Sequence, residues 1–97
     1  MLHVDEQVAV AVNGTGEPIG FKWRNANFLV ANKPMRWFAR REWWAEAVRV
    51  QRGIGRDVIE VEMWRLMASD LRSKTCQQYE LLHAVGKDDW RLVLVYP

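Results

Sequence analysis

The chain has 97 residues, of which 49% are hydrophobic and 27% charged, and its formal net charge is +2. This composition fits one globular domain with a modest core and excludes both a disordered chain and a second domain. One cysteine excludes an internal disulfide, the N-terminus lacks signal-peptide features, and no apolar run approaches the roughly 18 residues of a membrane span. We therefore expect a cytoplasmic protein without a membrane partner.

Valine alternation predicts the first strand, over positions 8–12, and "NGTG" at 13–16 predicts a hairpin turn in which Asn-Gly supplies positive φ. Ile19, Phe21 and Trp23 predict a second strand. The turn "RNAN" follows it and leads to a third strand, with Phe28 and Val30 on one face. The third strand is expected to end near Pro34, because proline cannot donate to a central ladder.

The stretch "RWFARREWW" at 36–44 follows, and its pattern is compatible with a strand or a helical stripe. We favour a strand over 35–40, with a bend or short helical turn around 42–44. Alternation then puts Trp37 on a core face with Met35 and Ala39, and Phe38 on the opposite face with Arg36 and Arg40.

A glycine-containing hairpin loop is expected at 51–57, followed by a strand in which Val61 and Met63 oppose Glu60 and Glu62. This alternation predicts that the glutamates, and Trp64 with them, lie on a solvent-exposed face. The polar stretch 69–75 predicts a loop in which Ser69 could cap a short turn. Two more strands, around 79–85 and 90–96, flank the turn "GKDD".

The whole pattern predicts an all-β fold: a single antiparallel meander of about six or seven strands. To bury its apolar faces, such a meander must curve into a small barrel or half-barrel, with at most one short helical turn.

Residues for catalysis or metal binding are sparse. A zinc site needs about four ligands, whereas this chain offers only Cys76, His3 and His83, widely spaced. Glu60 and Glu62 are interpreted as residues of a solvent-exposed strand face. His83 is interpreted as a histidine at the boundary of the core rather than a general base. No catalytic residue, metal site or cofactor is predicted. An enzyme would require Glu62 and His83 to converge in a concave pocket.

Basic and aromatic residues are concentrated between positions 33 and 56, where seven cations stand against two acids, a net charge of +5. Arginines that follow phosphates and tryptophans that stack on bases predict a site for single-stranded nucleic acid. The alternative is a protein-interaction module that offers Trp43, Trp44 and an edge strand to a peptide or subunit. A third interpretation is that arginine stems simply pack over tryptophan faces. The candidate binding residues are Arg36, Arg40, Arg41, Trp43, Trp44, Arg49 and Arg52.

Five motifs in order carry a resemblance: "EPIGFKWRNANFLV", "RWFARREWW", "EMWRLMAS", "QYELLHA" and "DWRLVLVY". Over about residues 17–96 they resemble a domain-of-unknown-function family common in actinobacteria, without an established activity. The matching residues are Pro18, Phe21, Trp23, Arg24, Phe28, Val30, Trp37, Trp43, Trp44, Trp64, Arg65, Tyr79, Leu81, Trp90, Arg91 and Leu92.

This chain departs from the family pattern at Asn25, where members carry a turn glycine, and at Phe28, where they carry tyrosine. Asparagine tolerates the left-handed conformation, so we expect the turn at Asn25 to be kept. A related Trp-Trp-containing domain is similar to the one appended to the polymerase-like subunit of the bacterial mutasome. The resemblance implies a DNA-repair or translesion-synthesis setting, and we expect a non-catalytic accessory or binding domain there. Its partner would be a single-stranded nucleic acid or a repair protein, and the oligomeric state is left open.

Overall fold

The computed structural model describes residues 2–42, 58–86 and 88–96, with backbone alone at 41, 42, 58 and 59. This part of the chain is all-β, with seven antiparallel strands and no helix. The strands are β1 (Leu2–Val12), β2 (Pro18–Trp23), β3 (Ala26–Val30), β4 (Met35–Glu42), β5 (Val58–Asp70), β6 (Cys76–Ala84) and β7 (Trp90–Tyr96). The predicted all-β meander is confirmed. The loop expected at 51–57 and most of the turn expected at 42–44 lie outside the described residues.

Six strands close a small barrel in the order β1-β2-β3-β5-β6-β7, with β7 pairing back onto β1. Every pairing is antiparallel. An all-antiparallel ring needs an even number of strands, because neighbours must alternate in direction. A seventh strand therefore cannot join the ring, and β4 lies outside it.

Strand β4 continues β3 along the same edge of β5. Val30 pairs with Ala68, and Met35 pairs with Arg65, so residues 31–34 stand opposite only residues 66 and 67. The predicted strand end near Pro34 falls in this bulged segment. On its other side, β3 is covered by β2, whose pairing ends at Gly20 and Leu29. Beyond that point no described strand covers β4, so one of its edges is open within residues 2–42, 58–86 and 88–96.

The core fills the barrel with aromatic and aliphatic side chains. Phe21 and Phe28 stack with ring centroids 4.8 Å apart, and both meet the edge of Tyr79 at 5.4 Å. Trp64 and Trp90 are buried in the same cluster. A second buried cluster of Val61, Met63 and Leu82 lies outside the barrel lumen, because strand alternation points these side chains away from Trp64 and Leu81.

The prediction for the faces of β5 is wrong. Glu60 is exposed, but Glu62 is half-buried and the next residue on its face, Trp64, is only 1% exposed. The face that begins with glutamates therefore turns into the barrel lumen. Val61 and Met63 are buried on the opposite face, in the second cluster. Alternation finds the two faces correctly but does not say which one a closed barrel encloses.

Two turns differ in detail from the sequence expectations, and one agrees with them. In the first hairpin the positive φ of +87° belongs to Gly16, and the Asn13 side chain accepts hydrogen bonds from the N–H groups of Thr15 and Glu17. Arg24 and Asn25 both have positive φ, so Asn25 does adopt the left-handed conformation expected of it. Finally, β5 runs through Ser69 to Asp70, whose carboxylate accepts from the Arg72 N–H at 2.8 Å.

Candidate functional site

One face of β4 presents a hydrophobic side chain between two cations. Phe38 is 54% exposed, and Arg36 and Arg40, which flank it two residues away on each side, are also exposed. The three side chains share a face because residues i, i+2 and i+4 of a strand point the same way. An exposed aromatic ring between arginines is a composition typical of binding surfaces.

Arg36 is held in place by its surroundings. Its Nη1 donates to Glu62 Oε2 at 3.2 Å, while its guanidinium carbon lies 5.3 Å from the ring centre of Phe38 and 5.4 Å from that of Trp64. The planar guanidinium thus packs against two rings and one carboxylate. The next cation on this face, Arg40, stands opposite Glu60 in the ladder. Two carboxylates therefore accompany the two arginines of this face.

Glu62 and His83 meet at the rim of the barrel. Glu62 Oε1 lies 2.8 Å from His83 Nδ1 and accepts from Trp64 Nε1 at 3.3 Å. The imidazole also stacks on Trp90, with ring centres 4.2 Å apart. The convergence of Glu62 and His83 meets one condition of the enzyme hypothesis. Both oxygens of Glu62 are nevertheless engaged by the protein's own donors, which is the arrangement of a structural carboxylate.

The opposite face of β4 anchors the strand. Trp37 and Ala39 are half-buried against the second cluster, as predicted for both. The prediction for Met35 is wrong: it is 59% exposed and does not belong to the core. The Arg65 guanidinium carbon lies 5.3 Å from the Trp37 ring centre, and its Nη2 donates to Glu80 at 3.4 Å. Packing beneath it therefore fixes β4 in its exposed position.

Every second residue of β4 directs its backbone N–H and C=O groups to the open edge. The Met67 carbonyl accepts from Ala31 N–H at 2.8 Å and the Met67 N–H donates to Asn32 Oδ1 at 3.0 Å, so Met67 faces the β3–β4 side. Glu60, an even-numbered residue, faces the other way: its carbonyl accepts from the Val85 N–H on the β6 side at 3.3 Å.

In an antiparallel sheet, successive residues of a strand direct their backbone hydrogen bonds to opposite sides. The odd-numbered residues of β5 therefore bond to β4, where their partners include Met35, Trp37 and Ala39. The N–H and C=O groups of Arg36, Phe38 and Arg40 therefore point away from β5. We call these three residues, with their backbone groups, the β4 edge. Its side chains all lie on the exposed face described above.

A second ionic cluster lies at the β2–β3 turn. Glu6 accepts from Trp23 Nε1 at 2.7 Å and from Arg24 Nε and Nη2 at 3.1 and 2.6 Å. The Arg24 hydrogen bond, with Trp23 adding to it, lowers the pKa of Glu6 below its ordinary value. A bulge in β1 around Asp5, where φ is +90°, precedes Glu6. This cluster ties the β2–β3 turn to β1.

The structure brings together only part of the predicted site. Arg36 and Arg40 lie on one face around Phe38, and Arg41 belongs to β4 with only its backbone described. Trp43, Trp44, Arg49 and Arg52 lie outside the described residues. Sequence reasoning missed the part played by Phe38, Glu60 and Glu62. The alternation from Arg36 to Arg40 was a signal for Phe38, whereas the glutamates needed the β4–β5 register.

No protein-family model matches the chain, and no curated protein or solved structure shows significant similarity to it. The family resemblance of the ordered tryptophan motifs therefore stays a prediction. Within residues 2–42, 58–86 and 88–96, no group of three or more His, Cys, Asp or Glu side chains could hold a metal ion. Nor does this part of the chain contain a helix long and apolar enough to cross a membrane.

Proposed function

We propose that this domain is a protein-interaction module that accepts an extended segment of a partner as an additional strand on the β4 edge. The observation that carries the proposal is the open side of β4: three successive outward-facing residues offer backbone donors and acceptors to which no described strand pairs. Addition of a strand to an exposed sheet edge is a common mode of peptide recognition.

Arg36 and Arg40 discourage unspecific pairing at this edge, as charged residues commonly do on exposed strands. Two features favour a specific partner. The exposed Phe38 ring between these cations offers apolar area to a matching side chain. Packing of Trp37 against the second cluster holds the strand in shape before a partner arrives, which lowers the entropic cost of association.

The charges of the β4 face favour a protein over a nucleic acid as partner. Arg36 is paired with Glu62 at 3.2 Å, and Arg40 stands opposite the exposed Glu60. Because these two carboxylates offset the charge of the two arginines, the face lacks the net positive charge on which binding of the many phosphates of a nucleic acid depends. A polypeptide strand gains its affinity from backbone hydrogen bonds and does not depend on net positive charge.

The test exploits the direction of the backbone groups. Phe38→Pro removes an outward N–H and leaves the β4–β5 bonds in place, whereas Phe38→Thr keeps that N–H and removes the ring. A random heptapeptide display library is selected on the full-length chain, and the enriched peptides are measured on both variants. Loss of binding to Phe38→Pro with retention on Phe38→Thr is expected.

Equal binding of the peptides to Phe38→Pro and to the unmodified chain would contradict edge pairing, and so would a library that yields no enriched peptide. Circular dichroism and a thermal melt check that each variant is folded. If Phe38→Pro does not fold, backbone amide exchange of the unmodified chain replaces it. A bound peptide must then slow exchange at residues 36, 38 and 40, and unchanged exchange there would count against the proposal.

A single-stranded nucleic acid is the second candidate, favoured by the exposure of Phe38 between Arg36 and Arg40. Stacking of one base on an aromatic ring contributes about 1–3 kcal/mol. Fluorescence anisotropy of a labelled oligothymidine with the full chain tests this candidate. Binding that weakens steeply as salt rises supports it, and absence of binding at low salt rules it out. In the setting that the family resemblance implies, either partner would belong to the DNA-repair or translesion-synthesis machinery.

A further inference from the structure

We infer that the β4 edge selects an extended partner segment that carries an acidic residue, an apolar residue and a second acidic residue at alternate positions. This inference rests on the proposed edge pairing and adds the chemistry of the partner. It follows from the direction of the backbone groups and from the side chains that accompany them.

Backbone direction fixes which partner residues stand opposite the exposed side chains. Arg36, Phe38 and Arg40 direct their N–H and C=O groups to the open edge, so an added antiparallel strand forms its hydrogen-bonded pairs with these three residues. Directly opposed residues point to the same face of a sheet. Three alternate partner side chains therefore lie beside a cation, a phenyl ring and a cation, in that order.

Charge decides the outer two positions. Arg36 has five N–H donors, of which Nη1 reaches Glu62, and its side chain remains 47% exposed. Arg40 is exposed as well. A partner carboxylate opposite either arginine adds an attractive cross-strand pair, whereas a lysine would meet a like charge at close range. At the centre, the 54% exposed Phe38 ring favours an aliphatic or aromatic residue.

The pattern is the same read in either direction, so it does not depend on the orientation of the added strand. It also disfavours a second copy of this chain paired about Phe38, because that pairing would set Arg36 opposite Arg40. Like charges directly opposite each other destabilise a strand pair. The charge complementarity of the edge thus points to an acidic segment of a different protein.

Three synthetic heptapeptides test the inference on the full-length chain. All carry threonine at the odd positions and leucine at the centre, and they differ at the second and sixth residues, which are glutamate, threonine or lysine. Fluorescence anisotropy at low salt measures their affinities. We expect the glutamate peptide to bind at least about tenfold tighter than the lysine peptide, with the threonine peptide between them.

A charge reversal provides the control. In Arg40→Glu, an exposed substitution, the preference is expected to shrink, and in the double variant Arg36→Glu with Arg40→Glu it is expected to reverse. Reversal separates direct pairing from a general effect of the chain's charge. If the double variant does not fold, Arg40→Glu alone decides, and an unchanged preference in it overturns the inference.

The outcomes distinguish the inference from the proposed function beneath it. Equal affinity of all three peptides, each lost with Phe38→Pro, would overturn the acidic pattern and leave edge pairing intact. Absence of binding for every peptide would overturn the inference together with edge pairing. Tighter binding of the lysine peptide would overturn the inference alone.

Discussion

Glu62 and His83 lie directly opposite each other on β5 and β6, and Glu62 Oε1 is 2.8 Å from His83 Nδ1. The same carboxylate binds Arg36 of β4 through its other oxygen. Glu62 thus links the barrel rim to the strand that carries the proposed binding edge. Rigidity of that edge depends on a residue that no partner needs to touch.

Substitution of Glu62 tests this link. Glu62→Gln removes a charge that accepts hydrogen bonds from Arg36 and Trp64 and lies 2.8 Å from His83 Nδ1. Hydrogen bonds to charged groups contribute about 1.5–3 kcal/mol each. Since glutamine retains one acceptor oxygen, we expect the free energy of unfolding in urea to fall by about 1–2 kcal/mol. Glu60→Gln, on the same face but exposed, is the matched control and should change it by less than about 0.5 kcal/mol. Equal effects of the two changes would show that the contacts of Glu62 contribute nothing particular.

Amide hydrogen exchange tests the direction of the β4 backbone directly. The N–H groups of Trp37 and Ala39 bond to β5, whereas those of Arg36, Phe38 and Arg40 point to the open edge. In the free protein we expect slow exchange at residues 37 and 39 and fast exchange at 36, 38 and 40. Two-dimensional NMR in deuterated buffer resolves the positions. Uniform protection along β4 would refute the alternation on which the edge is built.

The Glu6 carboxylate predicts a pH dependence on the acidic side. The pKa of Glu6 is lowered, first by Arg24 and then by Trp23. Its contribution to stability is therefore present above the ordinary pKa of 4.5 and is lost as the pH falls through the lowered value. Carbon-13 NMR titration should show the lowered pKa, and Arg24→Gln should raise it towards 4.5. Arg72→Gln, in the β5–β6 turn, is the control, because among the described residues only Arg24 and Trp23 lower the pKa of Glu6. A pKa of Glu6 that does not respond to Arg24→Gln would contradict this assignment.

Gly20 is required by a close approach between strands. A Cβ atom added at this position would lie 2.9 Å from the Phe28 carbonyl oxygen, a backbone atom that cannot move aside cheaply. We expect Gly20→Ala to lower the melting temperature and to cost about 1–3 kcal/mol, the range of overpacked sites. Gly14→Ala is the control, because a Cβ there meets nothing within 4 Å. A melting temperature unchanged by Gly20→Ala would show that β2 and β3 adjust freely.

Asn32 closes the ladder where β3 gives way to β4. Its Oδ1 accepts from the Met67 N–H at 3.0 Å, in the stretch where residues 31–34 stand opposite residues 66 and 67. Asn32→Ala leaves that N–H without its partner, and we expect a loss of about 1 kcal/mol in chemical unfolding. Asn32→Asp keeps an acceptor and should retain most of the stability. A loss as large for aspartate as for alanine would indicate that the hydrogen bond is unimportant.

The sequence by itself determined that the described chain is a series of strands, and it indicated the approximate ends of most of them, although β1, expected over 8–12, begins at Leu2. Alternation of apolar and polar residues identified β2, β3, β6 and β7 because side chains of a strand alternate strictly between two faces. Pro34 marked the end of β3 because proline lacks the N–H that a ladder requires. The positions of Arg36, Phe38 and Arg40 on one face followed from the same alternation.

Only the tertiary structure decided which faces are enclosed and which edge stays open. Glu62 and Trp64 share a face in any strand, but barrel closure turned that face inwards, since burial depends on the curvature of the whole sheet. The open edge arises because β3 and β4 share one side of β5 while β2 covers β3 alone. Pairings between strands that are not consecutive in sequence, such as β1 with β7 and β3 with β5, set this arrangement. Local sequence patterns do not encode such pairings.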